Sequence, residues 1–172
     1  MTLTVRPAAG EDGPAIRAVH LAAFPTSTEA DLVDRLQQDY DSEISLVAEQ
    51  AGEIVGHAML SRMTVSAGSR AFRALGLGPV GVLPGAQGSG VGSELIRSAL
   101  AIAGALGEEA VFVLGEPEYY ARFGFSAAAA APFASPYAGP YLMALWLRPP
   151  DAAPVEGSAA YAPAFGALGD PR

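Results

Sequence analysis

Between residues 80 and 105 an apolar strand runs into a glycine-rich loop, and the loop opens an amphipathic helix. The segment reads Val80-Gly81-Val82-Leu83-Pro84-Gly85-Ala86-Gln87-Gly88-Ser89-Gly90-Val91-Gly92, followed by Leu95, Ile96, Ala99, Leu100 and Ala103 at helical spacing, with Gly107 as the stop. Glycines at 88, 90 and 92 leave backbone N–H groups uncovered at the helix N-terminus. Those unpaired donors and the positive end of the helix dipole make an anion site, with phosphate as the natural guest. Any fold for this chain has to deliver a strand end to a helix start there.

The bulk of the sequence narrows the rest. A chain of 172 residues, 51% hydrophobic and 16% charged, suits one globular domain. Its formal net charge of -8 includes no basic stripe, which speaks against a nucleic-acid partner. Cysteine is absent, so no disulfide framework, cysteine nucleophile or thiolate zinc site is available. His20 and His57 are the two histidines, too few for a histidine-rich metal site, and no metal is expected. No apolar run reaches the roughly 18 residues of a membrane span. The N-terminus lacks a signal-peptide pattern, and the expectation is a cytoplasmic protein.

The elements read in the order β-α-α-β-β-β-α-β-α-β-β. Residues 3–6 form a short strand, and Asp12 is placed to cap a helix over 13–24 that Pro25 stops. Thr28 is placed to cap a second helix, with Leu32, Val33 and Leu36 on one face. Strands over 44–50 and 54–63 join at Ala51-Gly52 as a hairpin. A long strand over 71–83 is interrupted at Gly76, Gly78 and Pro79, which predicts a bulge or a splayed edge. Residues 110–114 are uniformly apolar, hence a strand buried on both faces, and Pro117 starts a short helix that Gly124 ends. Strands follow from Phe125 and over 141–147, loops cover 127–140, and 161–165 dock back as an extended piece. The fold class is α/β of the mixed α+β kind, with a mostly antiparallel sheet.

The loop is not a P-loop, because no Gly-Lys-Ser/Thr follows it. It also misses the dinucleotide fingerprint, since Ser93 stands where Gly88 and Gly90 require glycine or alanine. Gln-x-x-Gly-x-Gly fits, through Gln87, Gly90 and Gly92. With that motif the chain resembles the GNAT superfamily of acyl-CoA-dependent N-acetyltransferases. A second element agrees: Tyr120-Ala121-Arg122-Phe123-Gly124-Phe125 is similar to the superfamily's Tyr-x-x-x-Gly-Phe segment, and the run from Val111 to Phe125, with the tail around Tyr161 to Phe165, resembles the YhbS-like branch. One departure stands out. Glu116-Pro117 occupies the place where many relatives carry asparagine at the end of the fifth strand.

The resemblance implies a GNAT-like central sheet splayed between strands 4 and 5 and flanked by about four helices, with a domain over 1–148 and a tail over 149–172 packed back on it. It implies acetyl-CoA as cosubstrate and a primary amine of a small molecule or peptide as acceptor. Cofactor contacts fall on the backbone of Val80 and Val82 and on Gln87, Gly88, Ser89, Gly90, Val91 and Gly92. The Val80 N–H would face the thioester oxygen, and Tyr120 would protonate the leaving thiolate. Proline at 79 has no N–H to pair with a neighbouring strand, an independent reason to expect the gap. The base stays open between Glu29, His57 and water. Glu29 is equally a favourable charge in a first helical turn, and His57 equally a half-buried structural histidine. Tyr119 reads as packing and Arg122 as one half of an ion pair. A homodimer would cover the apolar tail. Two other readings of the loop remain, a non-turning-over acyl-CoA sensor and a nucleotide-binding module.

Overall fold

The computed structural model describes residues 2–168; Met1 and residues 169–172, the end of the expected tail, lie outside the described residues. Strand β1 (Leu3–Pro7) leads through a 3-10 turn (Gly10–Asp12) into α1 (Gly13–Ala23) and α2 (Thr28–Gln38). Strands β2 (Ser42–Gln50), β3 (Glu53–Ala67) and β4 (Arg70–Val82) follow, then α3 (Val91–Ala105), β5 (Ala110–Leu114) and α4 (Pro117–Ala121). The chain ends through α5 (Ala127–Ala130), β6 (Phe133–Ala134), β7 (Leu142–Trp146), β8 (Gly157–Ala160) and α6 (Pro163–Leu168).

These strands make one sheet in the order β1-β2-β3-β4-β5-β7, with β8 beside β3 and β6 beside β8. It is mostly antiparallel; β4–β5 and β6–β8 pair in parallel. The β2–β3 hairpin turns on Ala51 at φ +53° and Gly52 at φ +79°, the left-handed pair that a two-residue turn demands. On one face α3 buries Leu95, Ile96 and Ala99 against Leu60, Leu75 and Val111. On the other, Leu32 and Leu36 of α2 meet Val47 and Met59. Strand β5 sits between the two layers, and all five of its residues are buried.

The tail finishes the sheet. Pairing of β2 with β3 reaches Ser61, and β8 takes up the same edge over Thr64–Ala67. The Tyr161 ring then lies against Gly76, where a Cβ would stand 2.5 Å from its Cε1. Ala162, Ala164 and Phe165 are buried within the chain itself, so the apolar tail no longer calls for a second copy to cover it.

Several local expectations change. Asp12 does not cap α1 with its side chain; the carboxylate accepts from Arg6 at 2.8 Å and from the Ala9 N–H at 2.7 Å. That pairing holds its pKa down to about 2. Thr28 is the first residue of α2, and Ser27 precedes it without a side-chain cap. The region over 127–140 is not all loop. Ser126 Oγ accepts from the Ala129 N–H at 3.2 Å and starts α5, and β6 follows. Phe125 opens no strand, since only Ser126 makes a single bridge, to Ala144. The tail's expected extended piece is helix α6 from Pro163 onward, with proline in the first helical position that suits it. The four helices expected are α1 to α4, and α5 and α6 add to them.

One buried charge ties the strand ends together. The Glu108 carboxylate is 1% exposed and binds Arg62 at 2.5 Å and Arg73 at 3.1 Å. Arg62→Met is expected to cost about 2 kcal/mol in a denaturant titration. That is below the 3–5 kcal/mol of a fully broken buried pair, because Arg73 remains and Arg62 is partly solvated.

Candidate functional site

The site begins where β4 parts from β5. Their parallel pairing ends at Leu77 with Val113, whereas β3 follows β4 as far as Val82. Against β3 the register jumps from Leu77 to Val80, so Gly78 and Pro79 form the bulge. Gly78 has φ +139°, a value glycine tolerates. Beyond the bulge the Leu83 N–H donates to Val55 O at 2.8 Å, and Gly81 is registered on His57. Alternation along an antiparallel ladder then turns the backbone groups of Val80 and Val82 to the other side, where β5 has ended.

The loop follows directly. After a 3-10 turn at Pro84–Ala86, Gln87 Nε2 donates to Val82 O at 3.0 Å and Ser89 Oγ to Ala86 O at 2.6 Å. Gly88 and Gly90 take φ +79° and +90°, and Gly90 is an N-cap with no side chain to satisfy the helix. The Glu94 N–H is bonded to Gly90 O at 3.0 Å. The N–H groups of Val91, Gly92 and Ser93 therefore precede the helical ladder and are available to an anion.

Two cavities adjoin. One, of about 310 Å³, is lined by Val82, Gln87, Gly90, Gly92, Tyr119 and Arg122. The other, of about 440 Å³, lies at the splay among Phe24, Glu29, Gly78, Val80, Glu116 and Tyr120. Tyr119 lines both, and the two side by side, the lane, reach from the loop to the splay. A larger hollow of about 700 Å³ between the β3–β4 turn and residues 151–156 touches neither the loop nor the splay.

Tyr120 stands at the splay end. Its ring fills the space over Gly115, where a Cβ would come within 2.5 Å of Cε2, and meets Tyr119 and Phe125 edge to face. Burial, with a smaller contribution from Tyr119, pushes its pKa up to about 12. The phenol therefore stays protonated across the neutral range and is a hydrogen-bond donor only weakly inclined to ionise. Gly115→Ala is expected to push this ring out of place. Turnover should fall about tenfold or more while the melting temperature moves by a few degrees, as steady-state rates and thermal melting on the same sample will show.

Glu29, in the first turn of α2, lines the same cavity as Tyr120. Its Oε1 is buried without a hydrogen-bond partner, although the side chain as a whole is only half-buried. Glu116, the N-cap of α4, is the second carboxylate on this cavity, and no basic side chain lines it among the described residues.

His57 is elsewhere. It is wholly buried, not half-buried, and lines neither cavity. Its Nδ1 lies 2.8 Å from His20 Nε2 and its Nε2 lies 2.8 Å from Ser45 Oγ. The tautomers that leave no buried N–H without an acceptor have His20 donating to His57 and His57 donating to Ser45. Burial depresses both rings, to about 4 for His20 and, with His20 adding to the effect, to about 3 for His57. A ring held that far down does not take a proton from an amine at neutral pH. The pair instead docks α1: Gly81 leaves room for His20, and His20 stacks on Phe24, which reaches the cavity.

Two lane residues escaped the sequence reading. Tyr119 packs against the core as expected and also lines both cavities, its hydroxyl 3.1 Å from where a Gly92 Cβ would stand. Arg122 is not one half of an ion pair among the described residues; it lines the loop cavity and bonds Ser93 Oγ at 3.3 Å.

A splayed α+β sheet with a glycine loop and a tyrosine at the gap defines a class of acyl-CoA-handling proteins. A family model described as "Acetyltransferase (GNAT) domain" matches residues 4–128. The chain belongs to the GNAT acetyltransferase family. Across 120 residues it is 39% identical to the uncharacterized N-acetyltransferase YjhQ of Escherichia coli K12, a match covering 69% of this chain and 66% of that one. It is 32% identical to E. coli YhbS, also called an uncharacterized N-acetyltransferase, over 69% and 70% of the two chains. Among solved structures, E. coli YhbS in complex with CoA superposes with a TM-score of 0.86 at 28% identity over 99% and 96% of the chains. A GNAT family acetyltransferase from Brucella melitensis in complex with acetyl-CoA gives 0.77 at 33% identity over 95% and 98%. None of the described helices is long and apolar enough to cross a membrane, and no group of three or more His, Asp or Glu among the described residues could hold a metal.

Proposed function

We propose that this chain transfers the acetyl group of acetyl-CoA to a primary amine of a small molecule or peptide, by direct attack in a ternary complex. The observation that carries the reading is the lane itself: an anion-binding loop at one end, strand backbone turned away from β3 in the middle, and a half-buried, protonated tyrosine that shares a cavity with Glu29 at the other. The relatives solved with CoA and acetyl-CoA support it. The cytoplasm, where acetyl-CoA is at hand, is the proposed setting. The domain runs over 1–148, with 149–168 completing it through β8 and α6.

Each residue then has a task. Of the loop expected over Gln87 to Gly92, the N–H groups toward the helix, with those of Val91, Gly92 and Ser93 foremost, hold the pyrophosphate. Val80 and Val82 bond the pantetheine amides, and the Val80 N–H stabilises the carbonyl oxygen as it gains charge. The amine nitrogen forms a bond to the carbonyl carbon while the C–S bond breaks. Tyr120 gives its proton to the departing sulfur. Glu29, through its unpartnered Oε1, takes the first of the two protons the nitrogen loses on becoming an amide, the second replaces the proton that Tyr120 gave to sulfur, and the close placement of both reactants lowers the remaining barrier.

Because Glu29 and Glu116 line the acceptor end without a basic residue beside them, amines lacking a carboxylate should be acetylated in preference to free amino acids. The test is a panel of diamines, amino sugars, peptide amines and amino acids with acetyl-CoA, followed by free thiol and product mass. Glu29→Gln is expected to lower kcat/KM for the best amine about tenfold or more. Preference for amino acids, or an undiminished Glu29→Gln variant, contradicts these assignments.

A further inference from the structure

We propose that Arg122 is the cation that holds the pyrophosphate of the acyl-CoA donor, an assignment that rests on the acetyl-CoA reading of the site. The loop itself contributes no charge. Its polar side chains are already engaged inward, Gln87 with Val82 O and Ser89 with Ala86 O. Its other donors are neutral backbone N–H groups. A pyrophosphate diester carries about two negative charges at pH 7, which neutral donors alone balance poorly in a cavity. Arg122 is the one basic side chain lining that cavity among the described residues.

Of the three described arginines outside ion pairs, Arg97, Arg122 and Arg148, Arg122 alone lines the loop cavity. Six arginines are committed to carboxylates: Arg6, Arg17, Arg35, Arg62, Arg70 and Arg73. In a protein of net charge -8 an arginine at an anion loop with no carboxylate on it is a charge left for a ligand. The fixed contacts of Arg122 are neutral and position it. It donates to the buried Ser93 Oγ at 3.3 Å, and its Cζ stands 5.1 Å from the Tyr119 ring centroid and 5.7 Å from that of Phe123. One of five guanidinium N–H donors is thus spent, and a planar fork suits the bidentate oxygens of a phosphate. Ser93, the residue that spoils the dinucleotide fingerprint, serves here as the anchor for the arginine.

Arg97 supplies the comparison. Its Cζ lies 5.4 Å from the same Phe123 ring, yet it does not line the cavity. The experiment is calorimetric titration of CoA and of 3′-dephospho-CoA into the wild type, Arg122→Gln, Arg122→Lys and Arg97→Gln, at two salt concentrations. Arg122 is exposed at the end of α4, and circular dichroism melts confirm that each variant is folded. Arg122→Gln is expected to weaken both ligands by the same factor, about tenfold to hundredfold, with a shallower salt dependence. Arg122→Lys should fall between, and Arg97→Gln should stay within about twofold of wild type. Equal binding by wild type and Arg122→Gln overturns the proposal. So does a loss confined to CoA, which moves the arginine to the 3′-phosphate. A wild type that binds neither ligand contradicts the acetyl-CoA reading itself and is told apart from both.

Discussion

Tyr120→Phe should lower kcat by about a hundredfold while leaving the dissociation constant for acetyl-CoA within about twofold of wild type. The substitution removes one oxygen from a ring whose packing against Gly115, Tyr119 and Phe125 is unchanged. A phenol raised to about 12 exists almost entirely as the acid at pH 7, so its O–H is in place to donate to the sulfur as charge builds there. Loss of a positioned acid costs two to four orders of magnitude in known cases, and the lower figure applies here because solvent reaches the lane. An unchanged kcat would move the proton donor elsewhere. A loss of binding matching the loss of rate would make Tyr120 a scaffold for the pantetheine instead. Persistent binding with no turnover in the wild type would favour a sensor.

The second large effect is on stability in mild acid. His20 and His57 are both wholly buried, with pKa values pushed down to about 4 and about 3 from an unfolded value near 6.5. Folding therefore favours the neutral rings. The unfolded chain binds protons first as pH falls, so stability is complete above about 6.5 and is lost as pH drops toward the folded values. Between pH 7 and pH 5 each histidine contributes about 2 kcal/mol to that loss, and the pair about 4 kcal/mol. For a domain of this size the melting temperature should fall by roughly 10 °C. His20→Gln/His57→Gln should melt lower at pH 7 but show little further change at pH 5. A wild type equally stable at both values would mean that the pair is charged in the fold or reached by water. Turnover should fall together with the fold in this window, because the pair supports Phe24 at the cavity beside the splay.

What was legible in the sequence was local. The Gln87-to-Gly92 loop, the Ala51-Gly52 hairpin and the Gly78-Pro79 break each depend on backbone conformations that a few residues dictate, and all three are where the sequence put them. Helix α3 was equally readable, because its apolar stripe repeats over four turns. The misreadings need partners from afar. Asp12 gives its carboxylate to Arg6 and Ala9 instead of to its own helix. The tail becomes β8 and α6 because β3 outlasts β2 and leaves an edge to fill. His57 lies in β3 as expected, on the face of Met59 but not of Val55, and only the packing of α1 shows that it meets another histidine instead of the cavity at the splay. Tyr119 lies in, and Arg122 caps, a five-residue helix whose facing no periodicity can fix. Their place at the loop comes from α4 lying beside the start of α3.

The central claim, that loop and splay together hold an acyl-CoA, is tested most directly by thermal melting with acetyl-CoA, CoA, ATP and NAD at matched concentrations. At a hundred times its dissociation constant a bound ligand adds about 2.7 kcal/mol to stability, a shift of several degrees. Stabilisation by acetyl-CoA and CoA, with none from ATP or NAD, is the predicted result. Stabilisation by ATP or NAD alone, or by none of the four, contradicts it.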